Sequence, residues 1–174
     1  NLIERTIPGF ERYNERARER GGFYLPNSAR IGTFPTASTG KANFTVSTAE
    51  PLDLEGHEFI LMTVRSHDQF NTTIYGLDDR YRGVRNERRV VFLNEEDCLE
   101  RGLKEGDLVD LVNRSDGRER VARLFLVIPY NIPRRCAATY FPEANVLVPI
   151  ERVAHKSNTP TSKFVPMDIV AHQA

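Results

Sequence analysis

The stretch RRVVFLNEEDCLERGLKEGDLVDLVN, residues 88–113, limits the fold more than any other part of the chain. Val90 to Leu93 form an unbroken apolar run, the pattern of a buried strand. Asn94 is a good helix N-cap, and Glu95, Glu96 and Asp97 place negative charge on the first turn, where the helix dipole favours it. Arg101 falls on the last turn and Gly102 supplies a left-handed exit, so the helix is confined to two turns. Gly106-Asp107 then turns the chain, and Leu108 to Val112 is a strand again. A helix this short cannot cover a wide parallel sheet or build a bundle.

The rest of the chain agrees. HEFILMTVR, residues 57–65, reads as a strand buried on both faces. RSDGRE, residues 114–119, is a hairpin turn in which Gly117 takes a positive φ, and Val121 to Ile128 returns as the other arm. CAATY and FVPMDIVA add two more short strands between loops rich in Pro and Asn. Short strands, short helices and long polar connections predict a mostly β chain closed as a barrel.

Amino-terminal to this, residues 1–40 read as a linker or helical segment, and residues 41–174 as the barrel domain. Charges dominate from Pro8 to Arg20, Gly21-Gly22 ends any helix, and residues 23–44 carry turn chemistry. The amino end lacks an initiator Met and a signal-peptide pattern, so it is expected to be an internal cut in a longer protein.

Composition excludes several functions. Lys and Arg total 24, as do Asp and Glu, and this zero net charge removes the global footprint of a nucleic-acid binder. No apolar run approaches the roughly 18 residues of a membrane span. Cys98 and Cys136 are too few and too far apart for a zinc site or a disulfide framework; both are expected to be buried thiols in a reducing, cytoplasmic setting.

The segment TVRSHDQFNTTIYGLDDRYRG, residues 63–83, places Arg, Ser, His, Asp, Gln, Asn and Thr directly after a strand. An ordinary turn needs far fewer polar groups, and the density favours a bound ligand. The arginines from Arg80 to Arg89, interleaved with Asp78, Asp79 and Glu87, read instead as a solvated, charge-mixed loop. Phe70 and Tyr75 read as packing residues, and Tyr140 suits core or site equally.

In order, four segments resemble one family. FPTASTGKANF, TVRSHDQFNTT, VVFLNEEDCLERGLKEGDLVDLVN, and FPEANVLVP followed by TPTSKFVPMDI are similar to the carboxy-terminal molybdopterin-dinucleotide-binding domain of molybdenum and tungsten oxidoreductases, the dimethyl sulfoxide reductase superfamily. The wording of the polar loop looks most like bacterial formate-dehydrogenase-like alpha subunits. The resemblance implies a six-stranded double-psi β-barrel that holds bis-molybdopterin guanine dinucleotide with Mo or W. The metal ligand and any iron–sulfur cluster then lie elsewhere in the parent protein, so this fragment has no catalytic or metal-binding residue and is inactive alone. The implied partners are the other domains of the parent alpha subunit and electron-transfer subunits, with no nucleic acid and no membrane. The chain departs from the family at Gln69, where many members carry His; an amide still both donates and accepts.

Such a ligand needs planar donors and acceptors for its rings and cations for its diphosphate. Arg65 is read as a phosphate fork. Ser66, Gln69, Asn71 and Thr72 each suit either a ligand contact or a turn cap. His67 is a candidate contact, although a His beside Asp68 also fits a surface pair. Asn145 is assigned to the pterin edge by the resemblance, and Lys163 to a phosphate or pterin carbonyl. The competing reading is an adaptor barrel that binds protein partners. A protease-type barrel is excluded because the chain has no Asp-Thr/Ser-Gly tripeptide.

Overall fold

A computed structural model describes residues 2–48, 53–54, 56–71 and 75–173. The chain forms two compact units, Asn1–Pro51 and Leu52–Ala174. The first contains two short helices, α1 (Leu2–Thr6) and α2 (Tyr13–Arg16), with no buried residue in either. Its contacts are local: Tyr13 packs on Phe10 and Phe23, and the Arg16 guanidinium sits 3.9 Å from the Phe23 ring centre.

The second unit is a closed barrel of six strands: β1 (Phe59–Val64), β2 (Val90–Leu93), β3 (Leu108–Asn113), β4 (Arg120–Pro129), β5 (Cys136–Tyr140) and β6 (Val165–Ala171). Around the barrel they run β1-β5-β2-β4-β3-β6, with β1/β5 and β2/β4 parallel and the other pairs antiparallel. Closure removes the unpaired edges that an open sheet of this size would expose. The mostly β, six-stranded expectation holds.

Alternate side chains of the strands point inward, as a pleat requires, with one break in β4 between Ala122 and Phe125. Leu61, Val91, Leu93, Val109, Leu111, Phe125, Val127 and Met167 meet in one core. Val90 and Phe92 face the other way and pack with Val84 and Tyr140 in a second cluster outside the barrel wall. Thus β2 is buried on both faces. β1 departs from that expectation, because Met62 is 45% exposed on its outer face. Cys98 is buried as expected, whereas Cys136 is half-buried.

The hairpin of β3 and β4 carries a bulge between Val109 and Leu111. There Leu124 takes a φ of 62°, and the buried Asp110 carboxylate accepts the Leu124 N–H at 2.9 Å and pairs with His172 Nδ1 at 2.9 Å. Between β2 and β3, α3 (Glu95–Glu100) is capped by Asn94, whose side chain accepts the Glu96 N–H at 2.9 Å. The same amide donates to the Ile132 carbonyl at 2.6 Å, tying the helix start to the β4–β5 connection.

Candidate functional site

The strand directions gather distant sequence segments. Parallel pairing matches Val64 with Tyr140, so β1 and β5 finish at the same end of the barrel. Their exit loops stay together there, with the Phe141 N–H donating to the Val64 carbonyl at 2.8 Å. β6 runs the other way, and the segment leading into it reaches the same end, where the Thr63 N–H donates to the Ser162 carbonyl at 3.0 Å. Residues 65–71, 141–147 and 161–164 therefore share what is called here the upper end, and α3 lies at the lower end.

Arg88 joins the two exit loops. It is 5% exposed and sits two residues before Val90, so the period of a strand directs it beneath those loops with the second cluster. Its guanidinium donates to Glu143 Oε1 at 2.5 Å and Oε2 at 3.1 Å, Ser66 Oγ at 2.9 Å, Gln69 Oε1 at 3.1 Å, the Gly76 carbonyl at 3.2 Å and the Phe141 carbonyl at 2.9 Å. The rings of Tyr75 and Tyr140 each lie 5.1 Å from its central carbon. This corrects the reading of the arginine-rich segment as a solvated loop: Arg88 is a buried, fully engaged cation.

A second buried polar cluster supports the same loop. The Asp79 carboxylate, 1% exposed, accepts the Tyr140 hydroxyl at 2.9 Å, the Arg82 guanidinium at 2.5 Å and the His67 N–H at 3.3 Å. Burial alone raises its pKa, but the hydrogen bonds from Arg82 and Tyr140 outweigh that and hold it below the ordinary carboxylate value. Burial and the neighbouring Asp79 carboxylate push the Tyr140 phenol up. Arg82 also donates to the Arg65 carbonyl at 3.2 Å, anchoring the start of the loop. Tyr140 is thus a core residue that braces the site.

The residues expected to hold a ligand divide into two sets. Ser66 and Gln69 are buried and bonded to Arg88, and the Gln69 amide also donates to the Phe141 carbonyl at 3.1 Å. Arg65, His67, Asn71, Asn145 and Lys163 are exposed at the upper end. Arg65 bonds the Asn71 amide oxygen, and Lys163 bonds the Thr63 carbonyl. His67 stacks on Tyr81 with ring centres 3.6 Å apart, and Arg80 lies 5.1 Å from the same Tyr81 ring. Asn145 opens a short 3-10 turn, Asn145–Leu147. That turn is tied to β3 by the Asn113 amide, which donates to the Leu147 carbonyl at 2.7 Å. Thr72 lies outside the described residues. Phe70 is 65% exposed and so lies outside the core, and Tyr75, 46% exposed, packs on the Arg88 guanidinium.

The lower end is also rich in arginine, with a different pairing. Arg134 meets Glu96, Asp97 and Glu100, and Arg101 meets Glu58. A cavity of about 350 Å³ lies among these groups, and its guanidinium groups are already bonded. Among the described residues, no group of three or more His, Cys, Asp or Glu side chains is placed to hold a metal ion. No helix there is long and apolar enough to cross a membrane.

Arg88, Glu143, Asp79 and Arg82 are the site residues that sequence reasoning missed. The available signal was position: Arg88 is in phase with Val90 and Phe92, which face the same side of β2. The partners Glu143 and Gln69 are 55 and 19 residues away from it, so nothing local announced them.

Residues 59–166 match the molydopterin dinucleotide binding domain family, a span that takes in all three upper-end segments. The chain belongs to that family. It is 48% identical over 170 residues to an uncharacterized oxidoreductase of Mycobacterium tuberculosis, covering 95% of this chain and 22% of the relative. It is 40% identical over 176 residues to the protein YdeP of Escherichia coli, covering 97% of this chain and 23% of that protein. The chain thus spans under a quarter of the length of these relatives.

Proposed function

We propose that the upper end of the barrel holds the guanosine diphosphate end and a pterin edge of bis-molybdopterin guanine dinucleotide, in a formate-dehydrogenase-like molybdenum or tungsten oxidoreductase. The observation that carries this reading is the state of the cations there. Arg65 and Lys163 bond uncharged oxygens, an amide and a backbone carbonyl, rather than carboxylates. Their charge is available to an anion, whereas at the lower end Arg101 and Arg134 are paired with acids and Arg135 bonds the backbone carbonyls of His57 and Glu58.

The donor set fits such a ligand. Arg65 offers a planar fork to a phosphate, and Lys163 a compact charge beside it. His67 and the Asn71 and Asn145 amides supply the mixed donors and acceptors that a pterin or guanine edge requires. Ser66 and Gln69 act one step back, holding the loop through Arg88. The cofactor supplies the redox chemistry through its metal, and these residues bind and orient it.

The fragment itself is non-catalytic in this reading, because the metal ligand and substrate contacts belong to other parts of a longer cytoplasmic alpha subunit. The oxidoreductase name carried by the mycobacterial relative supports the class. The wording of the polar loop supports the formate-dehydrogenase-like subgroup.

A heteronuclear NMR titration of the chain with guanosine diphosphate tests the site. Shifts are expected at Arg65, His67, Asn71, Asn145 and Lys163. Shifts confined to the lower-end residues Arg101, Arg134 and Arg135 would remove the assignment.

A further inference from the structure

Loop 65–71 has little apolar anchorage. Arg65, His67, Asp68 and Phe70 are exposed, and the buried members are the polar Ser66 and Gln69. A loop that buries few apolar groups takes much of its conformation from its polar anchors, and much of its local stability is theirs. Two buried groups supply most of them, beside the bonds from Arg82 to the Arg65 carbonyl and from the Gln69 amide to the Phe141 carbonyl. Asp79 receives the His67 N–H, and Arg88 takes both Ser66 and Gln69.

Arg88 differs from Asp79 in reaching the opposite wall of the site as well. The same guanidinium holds Glu143 and the Phe141 carbonyl, in the loop that carries Asn145. Glu143 neutralises its charge, so the clamp does not compete with Arg65 and Lys163 for a phosphate. The geometry also requires arginine. Nε, Nη1 and Nη2 address different loops at once from one rigid plane, which an ammonium on a flexible stem cannot reproduce.

We propose that Arg88 is a positioning residue for the dinucleotide site: it fixes loop 65–71 against loop 141–147, setting the separation of Arg65 and His67 from Asn145. The positioning role rests on the dinucleotide reading, whereas the clamp between the loops does not. Sites of this kind depend on such support, because small displacements of contacting groups weaken binding sharply.

The test compares this chain with its Arg88→Lys variant, which keeps the charge and loses the fork. Amide hydrogen exchange is followed at Ser66, Gln69, Asn145 and Leu147, whose N–H groups are bonded within the two loops, and at His67, whose N–H is bonded to Asp79. Loss of charge-assisted bonds of this type predicts exchange faster by about tenfold or more at these amides, with β3 and β6 unchanged. Guanosine diphosphate affinity should fall by a similar factor, about tenfold, at a temperature where the strands keep wild-type protection. That pattern separates positioning from general destabilisation.

Wild-type exchange in both loops of Arg88→Lys overturns the clamp, whether or not the nucleotide binds. Loosened loops with unchanged affinity overturn the positioning role. A wild-type chain that shows no nucleotide shifts counts against the dinucleotide reading and overturns the positioning role with it, while loop exchange still decides the clamp. Should Arg88→Lys fail to fold, Glu143→Gln removes one anchor only. It is expected to speed exchange at Asn145 and Leu147 more than at Ser66 and Gln69, and equal wild-type rates at all four overturn the inference.

Discussion

The two ends of the barrel use arginine in opposite ways. At the lower end, the Arg134 side chain is 41% exposed and meets three carboxylates of α3, of which Glu96 and Glu100 are exposed to water and Asp97 is buried. At the upper end, the Arg88 side chain is 6% exposed and meets one carboxylate, two side-chain oxygens and two carbonyls. Both make many bonds, but the surroundings differ. The lower cluster closes its charges among themselves, while the upper end buries one neutralised cation and leaves others, Arg65 and Lys163, facing outward beside uncharged oxygens. Counting arginines or ion pairs would rank the ends alike; burial and partner type separate them.

The comparison predicts a graded series of losses. Arg88→Ala should be the most damaging, costing about 3 kcal/mol, because it leaves Glu143 and Gln69 without their partner inside the fold. Urea denaturation measures it, and a loss no greater than that of Arg134→Ala would break the distinction between the ends.

Asp79→Asn follows at about 2 kcal/mol near neutral pH, as a buried carboxylate loses charge-assisted bonds from Arg82 and Tyr140. The pH dependence has a definite sign. The folded-state pKa of Asp79 is depressed, so its contribution is complete above the unfolded value of about 3.9 and is lost as pH falls through the lower folded value. Melting curves of wild type and variant from neutral to strongly acid pH should therefore converge; a constant gap would refute the ionised network.

At the lower end, Asn94→Ala should cost about 1 kcal/mol, by removing the cap on Glu96 and the bond to the Ile132 carbonyl. Arg134→Ala should have a smaller effect than these: its bonds to the exposed Glu96 and Glu100 contribute little and high salt should erase that part, while the buried Asp97 keeps the Arg135 N–H. A large, salt-insensitive loss there would show that the lower cluster is as structural as the upper one.

Much of the barrel was legible. The run from Val90 to Val112 carries its own boundaries, because Asn94, Gly102 and Gly106 act within a few residues of where they stand: the cap bonds Glu96, and both glycines take positive φ. Strand positions follow from period-two burial for the same reason. The exposed face of β1 at Met62 was not legible, since an apolar side chain does not declare whether a neighbour covers it.

The site was legible by type and not by role. The polar density of residues 65–71 marked the loop, but Ser66 and Gln69 look like Asn71 and Thr72 in sequence, and only Arg88 distinguishes the buried pair. Arg88 itself was hidden in a charge-rich run where Arg80 and Arg85 are exposed.

By itself, the sequence determined where this chain turns, caps and extends, and which loop carries an excess of hydrogen-bonding groups. These are local properties, fixed by backbone preference and side-chain chemistry over a few residues. Only the tertiary structure decided which charges are buried and what they meet. Burial depends on strand order, and parallel pairing of β1 with β5 brings Val64 and Tyr140 together across 76 positions of chain that carry no trace of that contact.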